Sequence, residues 1–164
     1  MRLKDPYSTD EGELFPNVDW SKTQAYSLGL NAIYLNLSGR ERNGIVPKSG
    51  APAVLEQIAE RLKTFRDNGT AVVPTTWSPH PKFDGDIEYA PDLVAGYAPG
   101  YRSAWGGALG SVAAVIVEDN RDAWIGDHCI APQFVPGVLI SNRKSQVANP
   151  DLKELPAAIL KMFE

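Results

Sequence analysis

The fold class is decided by residues 32–67, which read AIYLNLSGRERNGIVPKSGAPAVLEQIAERLKTFRD. At the start of this stretch, apolar side chains alternate with those of Tyr34 and Asn36. A period of two residues is typical of a strand that buries one face. The pattern therefore predicts a strand over 32–37.

The second part of the stretch predicts a helix over about 52–67. Its apolar residues recur at intervals of three and four and so share one face: Val54, Leu55, Ile58, Ala59, Leu62 and Phe65. Pro52 suits the first helical turn, where a missing N–H costs no hydrogen bond. Asn68-Gly69 follows as a helix-stop signal, because both residues tolerate the left-handed conformation. A strand followed closely by a helix indicates an α/β fold.

Further short elements are expected outward from this stretch, separated by loops rich in proline and glycine. The expected strands are 71–73, 92–97, 111–117 and 138–140, and a closing helix is expected over 152–163. Residues 1–18 are polar and turn-rich, which predicts a loop or a crossing segment. Two clear helices are few for a sheet that must be covered on both faces, so we expect an incomplete portion of a larger fold.

Composition and charge narrow the classes of partner. The chain has 164 residues, the length of one domain, and a net charge of -4, so duplex nucleic acid is not an expected partner. No apolar run approaches the roughly 18 residues of a membrane-spanning helix, and no span is expected. Cys129 is the single cysteine, which excludes an internal disulfide.

His128 is the residue whose type and setting most suggest chemistry. It lies in the turn-like segment AWIGDHC, residues 123–129. Histidine is the commonest metal ligand and proton-transfer side chain, although an ordinary surface or core histidine is the more common case. The other histidine, His80, lies between two prolines, and no paired-histidine or paired-cysteine spacing is present. A catalytic zinc site usually needs three protein ligands, so the residues alone do not name a function.

Other candidate patterns are weaker. No G-x-S-x-G motif is present, and the glycine-rich residues 105–110 lack the lysine of a phosphate-binding loop. Arg102 lies in a segment that could line a cleft and pair with an anion, but a surface arginine is the ordinary reading. No residue of this chain is therefore predicted to be a nucleophile.

Several segments share a pattern with one enzyme family: DWSKTQAYSLGLN (19–31), IYLNLSGRE (33–41), GIV (44–46), APDLVAGY (90–97), GYRSAW (100–105), GDHC (126–129), PGVL (136–139) and LPAAIL (155–160). In this order they resemble the C-terminal part of the type I phosphodiesterase/nucleotide pyrophosphatase family, within the alkaline phosphatase superfamily. The resemblance implies an α/β fold in which a mixed sheet is flanked by helices. It also implies two divalent metal ions, usually zinc, at the strand ends and a Thr or Ser nucleophile that attacks phosphorus.

The resemblance implies that His128 is the last metal ligand of such a site, and it leaves the role of Asp127 unassigned. The nucleophile and the other ligands belong to the N-terminal half of the family's domain, to which no segment here corresponds. Residues 1–164 are thus expected to be the C-terminal part of a single catalytic domain. We expect a fragment of a metal-dependent phosphoric ester hydrolase, inactive alone. It would need the missing N-terminal part to act on a small phosphate-ester substrate.

Two alternatives stay open at this point. The chain could be a non-catalytic α/β module, a relic without chemistry, that binds a partner through an apolar face. It could also belong to the same superfamily but act on phosphomonoesters, phosphonates or sulfate esters. Monomeric, cooperative folding would favour the module, whereas partial folding or aggregation would favour the fragment.

Overall fold

A computed structural model of the chain describes residues 1, 3–4, 14–79, 88–113, 115–142 and 151–163. The strands, in chain order, are β1 (Ala25–Leu28), β2 (Ala32–Leu35), β3 (Arg66–Asp67), β4 (Thr70–Ala71), β5 (Thr75–Trp77) and β6 (Leu93–Gly96). The helices are α1 (Ala51–Thr64), α2 (Trp105–Ala108) and α3 (Leu155–Leu160). Single 3-10 turns cover Lys48–Gly50, Pro132–Phe134 and Leu152–Glu154.

The central feature is a four-stranded sheet with the order β1-β2-β6-β5, in which every neighbouring pair is antiparallel. The general mixed α/β class predicted from the sequence is therefore confirmed. The resemblance implies a mixed sheet, but among the described residues parallel pairing occurs only in isolated bridges such as that between Tyr97 and Ile130. The described helices include none that is long and apolar enough to cross a membrane.

The first predicted strand forms but is shorter than expected, ending at Leu35. The backbone N–H of Asn36 still donates to the carbonyl oxygen of Gln24 at 2.8 Å. Its side-chain nitrogen donates to three loop carbonyl oxygens, those of Trp20, Thr23 and Asn43, at 2.9–3.1 Å. Asn36 is only 1% exposed, so one amide organises the loops at this end of the sheet.

The predicted helix also forms, but it ends at Thr64 rather than at residue 67. Phe65 adopts an extended conformation, and the next two residues pair with β4. Asn68 and Gly69 both have positive φ, at 46° and 86°, which is the geometry of a tight Asn-Gly hairpin turn. The helix-stop interpretation of Asn68-Gly69 was therefore wrong, because these residues turn a hairpin that follows the helix.

A small apolar core lies between α1, the hairpin and the sheet. Its buried members are Val72, Val73 and Ala95, against which Leu62, Phe65, Tyr97 and Tyr101 pack. The predicted strand 71–73 is wrong beyond its first residue, since Val72 and Val73 leave the hairpin and enter this core. Burial of their side chains, rather than strand pairing, explains why this run is apolar.

The predicted strands 111–117 and 138–140 are wrong among the residues that the structure describes. Neither range contains a strand, and Val138 and Ile140 are 85% and 91% exposed. An apolar run forms a strand only when a neighbouring strand offers its backbone groups. The closing helix 152–163 is confirmed in part, as a 3-10 turn followed by α3, but its apolar side chains are exposed.

The opening segment is anchored more firmly than a free loop. Phe15 and Val18 are 6% and 1% exposed, and Leu3 forms an isolated bridge with Val18. Phe15 contacts the rings of Trp20 and Tyr26 edge-on at 5.7 and 5.8 Å between centroids. The predicted loop 1–18 therefore carries a packed aromatic anchor, while its residues 5–13 lie outside the described part of the chain.

Candidate functional site

His128 lies just before a segment that docks against the carboxyl end of β6. The N–H of Tyr97, the residue after β6, donates to the carbonyl oxygen of Cys129 at 3.1 Å. The carbonyl oxygen of Tyr97 accepts from the N–H of Ala131 at 2.8 Å. These two bonds make the parallel bridge between Tyr97 and Ile130. They fix the backbone immediately after His128, while the imidazole itself is exposed.

Gly96 permits this docking. A Cβ at this position would lie 3.0 Å from the Cβ of Ala131 and 2.8 Å from a methyl carbon of Thr75. Ala131 is completely buried, so it has no room to retreat. The glycine at the end of β6 therefore allows the segment after His128 to lie against the sheet.

Asp127 fixes the backbone at His128. Its Oδ1 accepts from the N–H of His128 at 2.6 Å and from the N–H of Cys129 at 3.2 Å, a local turn typical of aspartate. Its Oδ2 is buried and has no hydrogen-bond partner among the described residues. A buried carboxylate oxygen without a donor is costly unless a cation or a charged partner is near.

Arg102 places a positive charge near Asp127. Its Nε lies 3.9 Å from Oδ2 of Asp127, at the outer limit of an ion pair. Its Nη1 donates to the carbonyl oxygens of Trp124 and Gly126 at 3.0 and 3.4 Å. The guanidinium also lies over the ring of Trp105, 4.8 Å from its centroid. Arg102 is thus occupied by protein groups and is not the free anion partner considered from the sequence.

Cys129 completes a group of three possible metal-binding side chains. Each of Asp127, His128 and Cys129 offers one ligand atom, and these three atoms lie within 4.8 Å of one another. Burial first, and then the negative charge of Asp127 and a hydrogen bond to it, together raise the pKa of the Cys129 thiol to about 11, and the positive charge of Arg102 opposes the change. The thiol is therefore neutral near pH 7, and neither a nucleophile nor a ready metal ligand in that form.

The donors present fit part of a zinc site. Zinc accepts histidine nitrogen and carboxylate oxygen, and His128 and Asp127 offer one of each within 4.8 Å. One imidazole and one carboxylate cannot complete two four-coordinate sites. His80, the second histidine, lies outside the described residues.

A second polar cluster joins Arg40 to Asp92. Nη1 and Nη2 of Arg40 donate to the two carboxylate oxygens of Asp92 at 3.0 and 2.7 Å, and Nε donates to Glu41 at 2.8 Å. Asp92 also accepts from the N–H of Leu35 at 2.7 Å. The carboxylates of Asp92 and Glu41 raise the pKa of Arg40. The cluster borders a cavity of about 340 Å³. Its charged groups bind one another, so we interpret the cluster as structural.

Sequence reasoning identified His128 and missed how it is held. Arg102 and Tyr97 are distant from it in the chain and show no spacing motif. The one local signal was an aspartate directly before the histidine, because aspartate often accepts a hydrogen bond from the backbone N–H two residues further along the chain.

Comparisons of the chain with protein-family models, with curated proteins and with solved structures found no match.

Proposed function

We propose that this chain is the C-terminal part of a metal-dependent phosphoric ester hydrolase of the phosphodiesterase/nucleotide pyrophosphatase type, in which His128 binds a metal ion. The observation that carries the proposal is that a ring nitrogen of the exposed His128 lies within 4.8 Å of a carboxylate oxygen of Asp127, whose Oδ2 accepts no hydrogen bond from the described residues. The resemblance of residues 126–129 to the family's last ligand motif supports it.

The chain's own residues would bind and orient the ion. A ring nitrogen of His128 would be the ligand, and a carboxylate oxygen of Asp127 within 4.8 Å of it could ligate the same ion. When bound, the metal pair implied by the resemblance would supply positive charge that favours the phosphoryl group and the departing oxygen. The described residues supply no nucleophile for that reaction, and we assign none.

Exposed apolar side chains support the proposal that further polypeptide completes the domain. Ile116, Ile125, Val138 and Ile140 are 81–91% exposed, and Phe163 is 85% exposed. Isolated exposed apolar residues are normal, but so many in one half of a chain are typical of a surface that another segment covers. We therefore propose that this half packs against the N-terminal part of the same domain.

Zinc stoichiometry of His128 variants tests the proposal. The product of the complete reading frame that contains this sequence is dialysed against zinc, and bound metal is measured by mass spectrometry. His128→Ala is expected to lose zinc and to reduce turnover of bis(p-nitrophenyl) phosphate by at least about 100-fold, since even outer partners of ligands are worth 10–100-fold. His80→Ala is the matched histidine control. Equal zinc content in the His128→Ala variant and the unaltered protein would refute the assignment.

A non-catalytic module that binds a partner protein is the second candidate, and the same exposed apolar side chains favour it. The hydrolase and the module differ in metal dependence, because only the hydrolase needs bound metal. If the reading-frame product binds no zinc yet sediments as a stable complex with a partner or with itself, the module is correct and the hydrolase is not.

A further inference from the structure

The segment that carries His128 has little regular structure of its own. Residues 115–127 contain no helix or strand, and all but Asp127 are exposed. Such a segment loses conformational entropy when it is held in one geometry, so something outside it must fix its path. Metal ligands need that fixation, because a small displacement of the donor atom weakens coordination.

Arg102 contacts three residues of this segment. Its Nη1 donates to the carbonyl oxygen of Trp124 at 3.0 Å and, at a longer 3.4 Å, to that of Gly126. Its Nε lies 3.9 Å from the carboxylate of Asp127, whose other oxygen accepts from the N–H of His128 at 2.6 Å. The side chains of Arg102 and Asp127 are 14% and 11% exposed, so the contact between them is partly shielded from water.

Arg102 is itself held in place. The ring of Trp105 lies beneath the guanidinium at 4.8 Å, which restricts its position and leaves its edge free to donate. On the other side of His128, the bonds between Tyr97 and residues 129 and 131 hold the chain against β6. The backbone on both sides of His128 is therefore held in place: Arg102 binds the residues before it, and the end of β6 binds the residues after it.

We propose that Arg102 is a positioning residue for His128: it fixes residues 124–127 and, through Asp127, sets where the imidazole presents its ligand nitrogen. This inference rests on the proposed function, because it concerns the same metal site. A lysine cannot replace Arg102 fully, since a single ammonium lacks the planar fork that reaches separate acceptors while lying on a ring.

Cobalt titration of the complete reading-frame product tests the inference, since Co²⁺ replaces zinc and has a visible spectrum sensitive to ligand geometry. Arg102→Gln is expected to weaken Co²⁺ binding at least about tenfold and to change the absorption band, as loss of an outer partner of a ligand does. Arg102→Lys is expected to bind Co²⁺ with an affinity between those of Arg102→Gln and the unaltered protein. Arg121→Gln removes an exposed arginine of the same segment and is expected to leave both measurements unchanged.

A second variant guards against misfolding of the first. Trp105 is 52% exposed, so Trp105→Leu is expected to fold normally, to loosen Arg102 and to weaken Co²⁺ binding about threefold. If Arg102→Gln lowers only the melting temperature, or if Trp105→Leu and Arg102→Lys bind Co²⁺ like the unaltered protein while His128→Ala does not, the positioning role is wrong. If His128→Ala also binds normally, the proposed function fails, and the positioning role fails with it.

Discussion

The guanidinium of Arg40 binds the carboxylate of Asp92 in a two-point contact, with Nη1 3.0 Å from Oδ1 and Nη2 2.7 Å from Oδ2. Arg40 comes from the turn after β2, and Asp92 directly precedes β6, so the pair joins the two central strands of the sheet. Both side chains are largely buried, at 13% and 10% exposed. The contact is therefore protected from much of the solvent screening that weakens surface pairs.

Arg40→Ala is expected to lower the free energy of unfolding by about 2–4 kcal/mol, because it leaves the carboxylate of Asp92 buried without its partner. Urea denaturation followed by circular dichroism measures the change. Arg42→Ala, which removes an exposed arginine of the same turn, is expected to change stability by less than about 0.5 kcal/mol. Equal effects of the two substitutions would show that the pair with Asp92 contributes nothing.

Asn36→Asp is expected to destabilise the protein by about 2–4 kcal/mol although the two side chains have almost the same shape. The substitution replaces an amide donor, which serves three carbonyl oxygens, with a carboxylate that repels them. Asn43→Asp makes the same chemical change at an exposed position and is the control. The midpoints of urea denaturation should differ clearly between the two variants, and coincident midpoints would contradict the described network.

Gly110→Ala is expected to cost more stability than Gly100→Ala. Both glycines have φ of +87°, so both substitutions carry the left-handed strain of about 1–2 kcal/mol. Only Gly110 has an obstacle, since a Cβ there would lie 2.9 Å from the ring of Phe15, whereas Gly100 faces open space. The additional cost, about 1–3 kcal/mol by analogy with overpacked cores, appears as a difference in denaturation midpoint. A difference of zero would mean that Phe15 does not pack on Gly110.

Cys129 is expected to make stability depend on pH above about 9. Burial, together with the neighbouring carboxylate of Asp127, raises the pKa of its thiol to about 11, above the value of about 8.5 in an unfolded chain. The neutral thiol therefore stabilises the fold below pH 8.5, and this contribution is lost as the pH rises towards 11. Between pH 9 and 10 the unaltered protein should lose stability faster than Cys129→Ser. Parallel profiles, or fast reaction of the thiol with Ellman's reagent at pH 8, would contradict this prediction.

Local periodicity predicted the elements that depend on neighbouring residues. The alternation at 32–37 and the three-and-four spacing at 52–67 gave β2 and α1, because each pattern buries one face of a regular element. Asn68-Gly69 was misread because the same two conformations suit a helix end and a hairpin turn. Asn68-Gly69 forms a hairpin turn because residues 66–67 pair with 70–71, and the helical pattern of the preceding residues gave no sign of this pairing.

Long-range contacts explain the remaining differences. Residues 138–140 resemble a buried strand, yet no described strand pairs with them, so they remain exposed. His128 was recognisable as a candidate ligand by residue type and resemblance. The contacts of Arg102 and Tyr97 with the residues around His128 depend on which segments pack together at the end of β6. Local sequence patterns do not show which segments pack together.

Hydrolysis of bis(p-nitrophenyl) phosphate tests the central claim most directly, measured with added zinc for two proteins in parallel. One is the isolated chain of 164 residues, and the other is the product of the complete reading frame that contains it. The account predicts no turnover by the isolated chain, and zinc-dependent turnover by the longer product that His128→Ala abolishes. Turnover by the isolated chain, absence of turnover in the complete product, or turnover that His128→Ala leaves intact would contradict it.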